Sequence, residues 1–506
     1  VLLADVVATS TTVAATRSRT AKVAAIADLL RGLDPADVEL TAVVAAYLGG
    51  SLRQRRTGLG WRSLSTLPAP AENPTLTVAD VHTRFDDIAA LSGAGSATRR
   101  STAVADLFSR ATAAEQAWLR GVVTGELRQG ALDALVQDAA AAVAGVPGPD
   151  VRRAAMLAGS TVEAVVAALH GGAVELSGFG LHVGRPLLPM LASSATSVAE
   201  AVGGLGAEVA VDTKLDGIRI QVHRGPEGVR IATRTLEDIT ARLPEVVEIA
   251  RDLPASEFVL DGEALALADD GRPKAFQDTA SRTAQASGTV VTPFFFDVLH
   301  LDGVDLLDVP LRERLTALDG FVPERFRVPR LVTDDPAAAT EFADNAVAAG
   351  HEGVVVKDLS SPYAAGRRGG AWVKVKPVHT LDLVVLAVEQ GSGRRKGWLS
   401  NIHLGARDPE TGGFVMLGKT FKGMTDEMLS WQTARFRELQ TDDQGYLVTV
   451  RPEQVVEIAF DGLQRSTRYP GGVALRFARV VRYRDDKTAE EADTLATVLA
   501  LSKVDR

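Results

Sequence analysis

The apolar pattern of this chain changes period part-way along, and that change limits what it can fold into. Up to about residue 180 the spacing is helical. In T-A-K-V-A-A-I-A-D-L-L-R-G-L, Val23, Ile26, Leu29 and Leu30 share one face, with Thr20 placed to cap the helix and Gly32 to stop it. Similar patterns recur around 36–48, 102–120 and 130–144, rich in alanine, the strongest helix former. A proline-rich stretch at 67–74 and a Gly/Ser loop at 92–97 break the run, and no fixed-period repeat indicates a solenoid. Beyond about 208 the period is two. V-A-V-D-T, I-R-I-Q-V-H, V-R-I-A-T, F-V-L-D, F-F-F-D-V-L and G-V-V-V-K read as short strands, with helices near 244–251, 311–318 and 336–349 and another at 426–440. At roughly 150 residues per domain, 506 residues fit a helical domain, a mixed domain and a small β-rich domain.

Composition narrows the chemistry. Lys+Arg 55 against Asp+Glu 64 leaves a net charge of −9, so bulk charge cannot coat nucleic acid and any such contact must use local patches. With no cysteine, disulfide frameworks, cysteine-ligated zinc or iron–sulfur sites and thiol nucleophiles are excluded. No apolar run approaches the ~18 residues of a membrane span. The first residues, V-L-L-A-D-V-V, lack a basic region and are interrupted by Asp5, so no secretion signal and a cytoplasmic location are expected.

The strongest chemical signal is T-K-L-D-G-I-R at 213–219. Lys214 ends one strand, and Asp216-Gly217 turns the chain into the next. An amine there can approach a phosphate, and it becomes a nucleophile once its pKa is lowered from ~10.4 by nearby cations or desolvation. Taken alone, the motif fits a surface hairpin equally well. Its companions are Arg234 in A-T-R-T-L-E-D, Glu263 in F-V-L-D-G-E-A, Phe296 in P-F-F-F-D-V, and Glu352 and Lys357 at the ends of E-G-V-V-V-K. Arg367, Arg368, Lys374 and Lys376 lie in A-G-R-R-G-G-A-W-V-K-V-K-P, which contains no acid. Lys374 and Lys376 are two apart and point the same way on a strand. Four cations near a nucleophilic lysine suit a triphosphate, and two carboxylates suit a divalent metal with oxygen ligands. Each residue singly has an ordinary reading as a solvated strand position or core aromatic; their joint order and spacing carry the signal.

In this order the motifs resemble the covalent nucleotidyltransferases, most closely the ATP-dependent DNA ligases, over nearly the whole chain. The resemblance implies three domains: a helical DNA-binding domain (1–180), an α+β adenylation domain with antiparallel sheets (186–377) and a C-terminal β-barrel of the OB-fold type (381–506). It makes Lys214 the residue that forms lysyl–AMP. Arg219 and Arg234 match ribose and phosphate contacts, Glu263 a ribose-side carboxylate and Phe296 the aromatic stacked on adenine. Glu352 matches a carboxylate associated with Mg²⁺ or Mn²⁺, while Lys357, Arg368, Lys374 and Lys376 match triphosphate contacts. Asp212 stands where the family often has Glu near the adenine, and Thr235 where Asn often follows the arginine. The implied cofactors are ATP and Mg²⁺ (or Mn²⁺). The implied partner is nicked double-stranded DNA, met by a monomer in replication, repair or recombination.

The segment R-F-A-R-V-V-R-Y-R-D-D-K at 476–487 resembles the last ligase motif, in which Arg482, Arg484 and Lys487 orient the pyrophosphate. A basic loop at 391–398, with Arg394, Arg395, Lys396 and Trp398, suits a DNA backbone or a plain hairpin tip. So do Arg53, Arg55, Arg56, Arg62, Arg99 and Arg100, for each of which a solvated surface is the simpler reading. W-L-R-G-V-V-T-G-E-L-R-Q-G at 118–130 resembles the helical domain of large ligases, as does R-P-L-L-P-M-L-A at 185–192. G-F-V-M-L-G-K-T at 413–420 satisfies the P-loop expression, but Phe, Val, Met and Leu read as a strand and no helix follows, so it is rejected. Linkers near 180–190 and 377–381 are expected to hinge. The alternatives are an RNA ligase or capping guanylyltransferase, against which the long helical domain argues, and a non-catalytic DNA-binding protein needing neither Lys214 nor Glu352. An NAD-dependent ligase normally carries a four-cysteine zinc module, which this chain cannot build.

Overall fold

The computed structural model describes residues 1–54, 56–127, 132–274, 278–279, 290–364, 368–392 and 395–501. Nine helices among the described residues, from Leu3–Ala15 to Thr161–Ser177, pack around one apolar core that includes Ile26, Leu30, Tyr47, Phe85, Phe108 and Leu119. The helix expected from residue 20 is Arg19–Arg31. Its cap is Ser18 rather than Thr20, because the Ser18 hydroxyl accepts from the Ala21 amide, while Gly32 does end it. The 102–120 stretch is two helices, Ser96–Ser109 and Ala113–Thr124. Thr112 and Glu115 form a reciprocal capping box that starts the second one.

Next come two five-stranded sheets. The first runs in the order Leu191–Ser194, Arg368–Val375, Gly353–Asp358, Val209–Lys214, Arg330–Thr333. The second runs Gly228–Thr233, Ile218–Gly225, Phe258–Ala266, Val291–Leu301, Val304–Asp305. Pairing is antiparallel as expected, except that Leu191–Ser194 enters from the linker and joins Arg368–Val375 in parallel.

Alternation decides which side chains face where. In the first sheet Val209, Val211, Val354, Val356 and Val375 pack against helices Val198–Leu205 and Pro336–Ala348. The opposite face carries the ionisable residues. In the second sheet Ile220, Val222, Leu260 and Phe295 pack against helices Pro244–Asp252 and Leu311–Phe321. Both sheets thus give their apolar faces to helices and leave a polar cleft between them.

The C-terminal region is β-rich. Phe414–Thr420, Leu399–Arg407, His379–Gln390, Leu447–Val450 and Gln440–Asp443 pair in that order, and Val455–Phe460 joins His379–Gln390 to Arg479–Tyr483. Phe414–Thr420 is a strand and no helix begins before Asp426, as the rejection of a P-loop requires. No helix among the described residues is long and apolar enough to cross a membrane.

Part of the segment expected to hinge, at 184–187, is hydrogen-bonded to the second sheet. Gly184 donates to the His223 ring (3.1 Å), Arg230 donates to the Gly184 carbonyl (2.7 Å), and Gln221 accepts from the Leu187 amide (2.9 Å). His223 is buried, and burial holds it neutral, with its pKa down at about 3, so it can accept that amide.

The second sheet and its helix Leu311–Phe321 are joined by a buried ion pair. Arg314 and Asp297 are both fully buried. The guanidinium donates to both Asp297 oxygens (2.8 and 3.0 Å) and to the Val309 and Ser361 carbonyls. Arg314→Ala leaves a buried carboxylate uncompensated, with an expected cost of roughly 3–5 kcal/mol. Replacing both partners by apolar residues of similar volume costs much less, and thermal unfolding of the two variants checks the contrast.

Candidate active site

The two sheets enclose a cleft of about 460 Å³. From the first sheet, Asp212 and Lys214 stand opposite Val355 and Gly353, and Lys357 and Lys374 stand opposite Trp372 and Val355. The pairing therefore places all of these on one face. Arg219, Glu263 and Phe296 come from the second sheet. The register shifts between the pairs Asp261–Asp297 and Gly262–Phe295, leaving Phe296 as an extra residue that faces the cleft.

Of the residues expected at the site, Asp212, Lys214, Arg219, Arg234, Thr235, Glu263, Phe296, Glu352, Lys357, Lys374 and Lys376 all line this cleft. Arg368 opens a strand, but its side chain, like Arg367, lies outside the described residues. Arg55 and Arg394 also lie outside them.

Lys214 is the reactive-group candidate. Its Nζ lies 2.5 Å from Glu352 Oε2 and 3.4 Å from the Leu215 carbonyl, and Lys376 pairs with the other Glu352 oxygen. Burial opposes the charged form of Glu352, but Lys214 and Lys376 overcome it and hold its carboxyl below the usual range. Glu263 moves the other way. Burial pushes its carboxyl up against the pull of Lys214 and Arg219, and one Glu263 oxygen accepts from the Gly217 amide (3.0 Å).

Asp212 is buried and braced by two cations. Arg330 donates to both of its oxygens (2.5 and 3.0 Å), and Lys357 approaches to 2.6 Å. Burial raises its pKa, but these two cations prevail and hold the carboxyl below its ordinary value. Lys357 Nζ also sits 4.5 Å from the Phe296 ring centroid and 4.3 Å from that of Trp372. Arg219 pairs with Asp261 through Nε and Nη2, with its guanidinium 4.9 Å from the Phe296 centroid. The aromatic wall is thus electron-rich ring against cation.

The sequence reading missed Arg330, Asp261 and Trp372. Asp261 and Trp372 each lie two residues before a named site residue, Glu263 and Lys374, so strand alternation could have found them. Nothing in V-P-R-L-V-T marks Arg330. Among the described residues no group of three His, Cys, Asp or Glu is arranged to hold a metal.

The last motif is not brought to the cleft in this arrangement. Arg482 pairs with Glu457 across the strands, and Arg484 and Lys487 both reach Asp382. In their place Arg476 bonds Asp216 (2.7 Å), and Asp461 lies 3.7 Å from Lys376. Several of the arginines read as either DNA contacts or solvated surface are engaged within the fold. Arg53 pairs with Glu39, Arg99 and Arg100 donate to carbonyls of the 91–94 loop, and Arg395 donates to the Phe421 carbonyl and the Ser400 hydroxyl.

Three family models match the chain. They are the ATP dependent DNA ligase domain over 189–376, the ATP dependent DNA ligase C terminal region over 395–487, and the DNA ligase N terminus over 61–141. The chain belongs to the ATP-dependent DNA ligases. A "Probable DNA ligase" of Kineococcus radiotolerans is 84% identical over 99% of this chain and 100% of its own length. Another, from a Nocardioides species, is 70% identical over 98% of each. The solved structure described as Pmar-Lig_PreS3 superposes on 95% of this chain and 99% of its own with a TM-score of 0.61 at 18% identity, a likeness of fold. The enzymes of this family join DNA at the expense of ATP.

In such a ligase Gly217, two residues after the pocket wall at Leu215, is required for close approach rather than for an unusual φ. A Cβ there would lie 2.3 Å from the Ala264 carbonyl oxygen and 2.3 Å from Leu265 Cδ1. Gly217→Ala must shift the strand that carries Glu263. The expected result is a loss of about 1–3 kcal/mol in stability and at least a ~10-fold slower transfer of AMP from labelled ATP to the protein.

Proposed function

We propose that this chain seals nicks in double-stranded DNA through a covalent AMP intermediate on Lys214, acting as a monomer. The observation that carries the reading is the placement of Lys214 Nζ at the wall of a cleft whose other walls supply an aromatic ring and converging cations. In the first step the Lys214 nitrogen attacks the α-phosphorus of ATP and gives up a proton. A P–N bond forms, a P–O bond breaks, and pyrophosphate leaves. A 5′-phosphate oxygen at the nick then displaces Lys214 from the AMP. Finally the 3′-hydroxyl attacks that 5′-phosphorus and AMP departs.

This chain's own groups would do the positioning. Phe296, backed by Trp372, offers the face for adenine. Arg219, Arg234 and Glu263 suit the ribose and α-phosphate, and Lys357, Arg368, Lys374 and Lys376 the phosphate chain. Asp212 acts on Lys357 and Arg330 and so sets the base-side wall. Glu352, with Glu263 facing the same cleft, fits a hard cation that takes one or two carboxylates and completes its shell with water and phosphate oxygens. Mg²⁺ or Mn²⁺ held there would supply neutralisation of phosphate charge. Until then Glu352 keeps Lys214 in place as an ion pair.

We read residues 1–180 as the DNA-binding domain, 186–377 as the adenylation domain and 381–506 as an OB-fold. The C-terminal domain supports a DNA role beside the cleft. Phe477 is 57% exposed and holds a positive φ of 54°, next to Arg476 and 5.5 Å from Lys422 Nζ. An exposed ring flanked by cations suits a nucleic-acid surface. Cytoplasmic action on nicked duplex follows from the same reading.

With labelled ATP and magnesium, the wild-type chain should acquire one AMP and seal nicked duplex. Lys214→Ala should do neither. Equal labelling of Lys214→Ala would overturn the assignment. Arg476 bonds Asp216 on the cleft wall, so Arg476→Ala should slow both AMP labelling and sealing of nicked duplex by up to about fivefold, a loss of up to ~1 kcal/mol.

A further inference from the structure

Arg219 is held by more than its partner Asp261. Four groups form a closed hydrogen-bonded circuit behind the aromatic wall. Arg219 donates to both Asp261 oxygens (2.7 and 2.5 Å), and the Tyr363 hydroxyl donates to Asp261 Oδ2 (2.7 Å). The Met190 amide donates to the Tyr363 oxygen (3.0 Å), and the Met190 carbonyl accepts from Arg219 Nη2 (3.2 Å). Tyr363 is 2% exposed, Asp261 is fully buried, and neither lines the cleft.

The rings repeat the connection. Tyr363 meets Trp372 edge-on at 6.0 Å, and Trp372 meets Phe296 edge-on at 6.0 Å. Arg219 lies over both Phe296 and Trp372, at 4.9 and 5.7 Å. Met190 is followed by Leu191 and Ala192, which are themselves cleft wall.

We propose that Tyr363 is a positioning residue for the nucleotide: its hydroxyl fixes Asp261, and through Asp261 and Met190 it sets the Arg219 guanidinium and the Leu191–Ala192 wall. Charge does not explain its presence, because Arg219 and Asp261 already neutralise each other. What the hydroxyl adds is a direction. Without it, Asp261 Oδ2 loses one of its two donors and the buried Met190 amide loses its acceptor, so the guanidinium gains freedom over the Phe296 face. The proposal rests on the reading that Arg219 touches the nucleotide, and the test separates the two.

The full-length chain is assayed for self-adenylation at varied ATP, giving a half-saturating ATP concentration and a maximal rate for wild type, Tyr363→Phe, Arg219→Ala and the double variant. Tyr363→Phe should raise the half-saturating concentration by about 10-fold, with the maximal rate within about twofold. In the Arg219→Ala background the same substitution should add nothing, since its effect passes through the arginine. If Tyr363→Phe matches wild type while Arg219→Ala weakens ATP use, the positioning role is wrong and the Arg219 assignment stands. If Arg219→Ala itself leaves ATP use unchanged, the Arg219 assignment fails and the proposal with it. Full multiplication of the two effects also overturns the proposal, because Tyr363 then acts independently. Should Tyr363→Phe not fold, Asp261→Asn interrupts the same circuit, and the same outcomes apply to it.

Discussion

Everything at this site depends on one alternation. Along Val209–Lys214, Gly353–Asp358 and Arg368–Val375, the alternate valines Val209, Val211, Val354, Val356, Val373 and Val375 face helices, so the residues between them face the opposite way. That geometry gathers Asp212, Lys214, Val355, Lys357, Trp372 and Lys374 on a single face without any loop having to place them. It also creates a difficulty, because charges withdrawn from water are costly unless paired. The structure meets it locally. Asp212 is shared by Arg330 and Lys357, Glu352 by Lys214 and Lys376, and Asp261 by Arg219 and Tyr363.

These pairings leave the cleft poised rather than neutralised. Glu352 is shared by two ammonium groups, and the cleft lining as a whole carries more cations (Lys214, Arg219, Arg234, Lys357, Lys374, Lys376) than carboxylates (Asp212, Asp216, Glu263, Glu352). A polyphosphate entering here meets an excess of positive charge fixed by rigid strands, the kind of preorganised field that stabilises phosphoryl transfer. The same carboxylate that restrains Lys214 connects through Lys376 to Asp461 in the C-terminal region, and Asp216, two residues beyond the lysine, reaches Arg476. Lys214 is therefore bracketed by contacts to the C-terminal region. Any displacement of that region alters the electrostatic surroundings of Lys214 directly.

Much of this was legible in the sequence, for a physical reason. Motif residues on strands obey period two, so Asp212 with Lys214, and Lys374 with Lys376, announce shared faces once the strands are recognised, whereas Glu352 and Lys357 are five apart and only the fold brings Glu352, just before its strand, to Lys214. Helix existence was also readable from spacing, though Ser18 displaced Thr20 as a cap because a boundary depends on one hydrogen bond. Partners distant in sequence were not readable. Arg330 lies 118 residues from Asp212, and Arg476 lies 260 residues from Asp216. Tyr363 belongs to none of the motifs read from the sequence, and only the fold brings it to Asp261. The β-bulge that turns Phe296 into the cleft is equally invisible, since Phe294, Phe295 and Phe296 are chemically identical in the sequence.

The cation count shows where composition misleads. A sequence adds up arginines and lysines in clusters, but a DNA backbone meets only those whose charge is still available. Arg53, Arg99, Arg100, Arg395, Arg482, Arg484 and Lys487 each hold a carboxylate or a carbonyl within the fold, and Arg56 lies 3.8 Å from Glu237, whereas Arg62 and Lys396 are exposed. An engaged cation already has an oxygen partner that offsets part of its charge, so a phosphate gains less from it than from an uncompensated one. An acidic chain with net charge −9 can therefore hold a polyanion, with its basic clusters contributing unequally. Arg62 and Lys396, both exposed, stand to contribute most per charge. The buried and paired ones build the walls that position the chemistry.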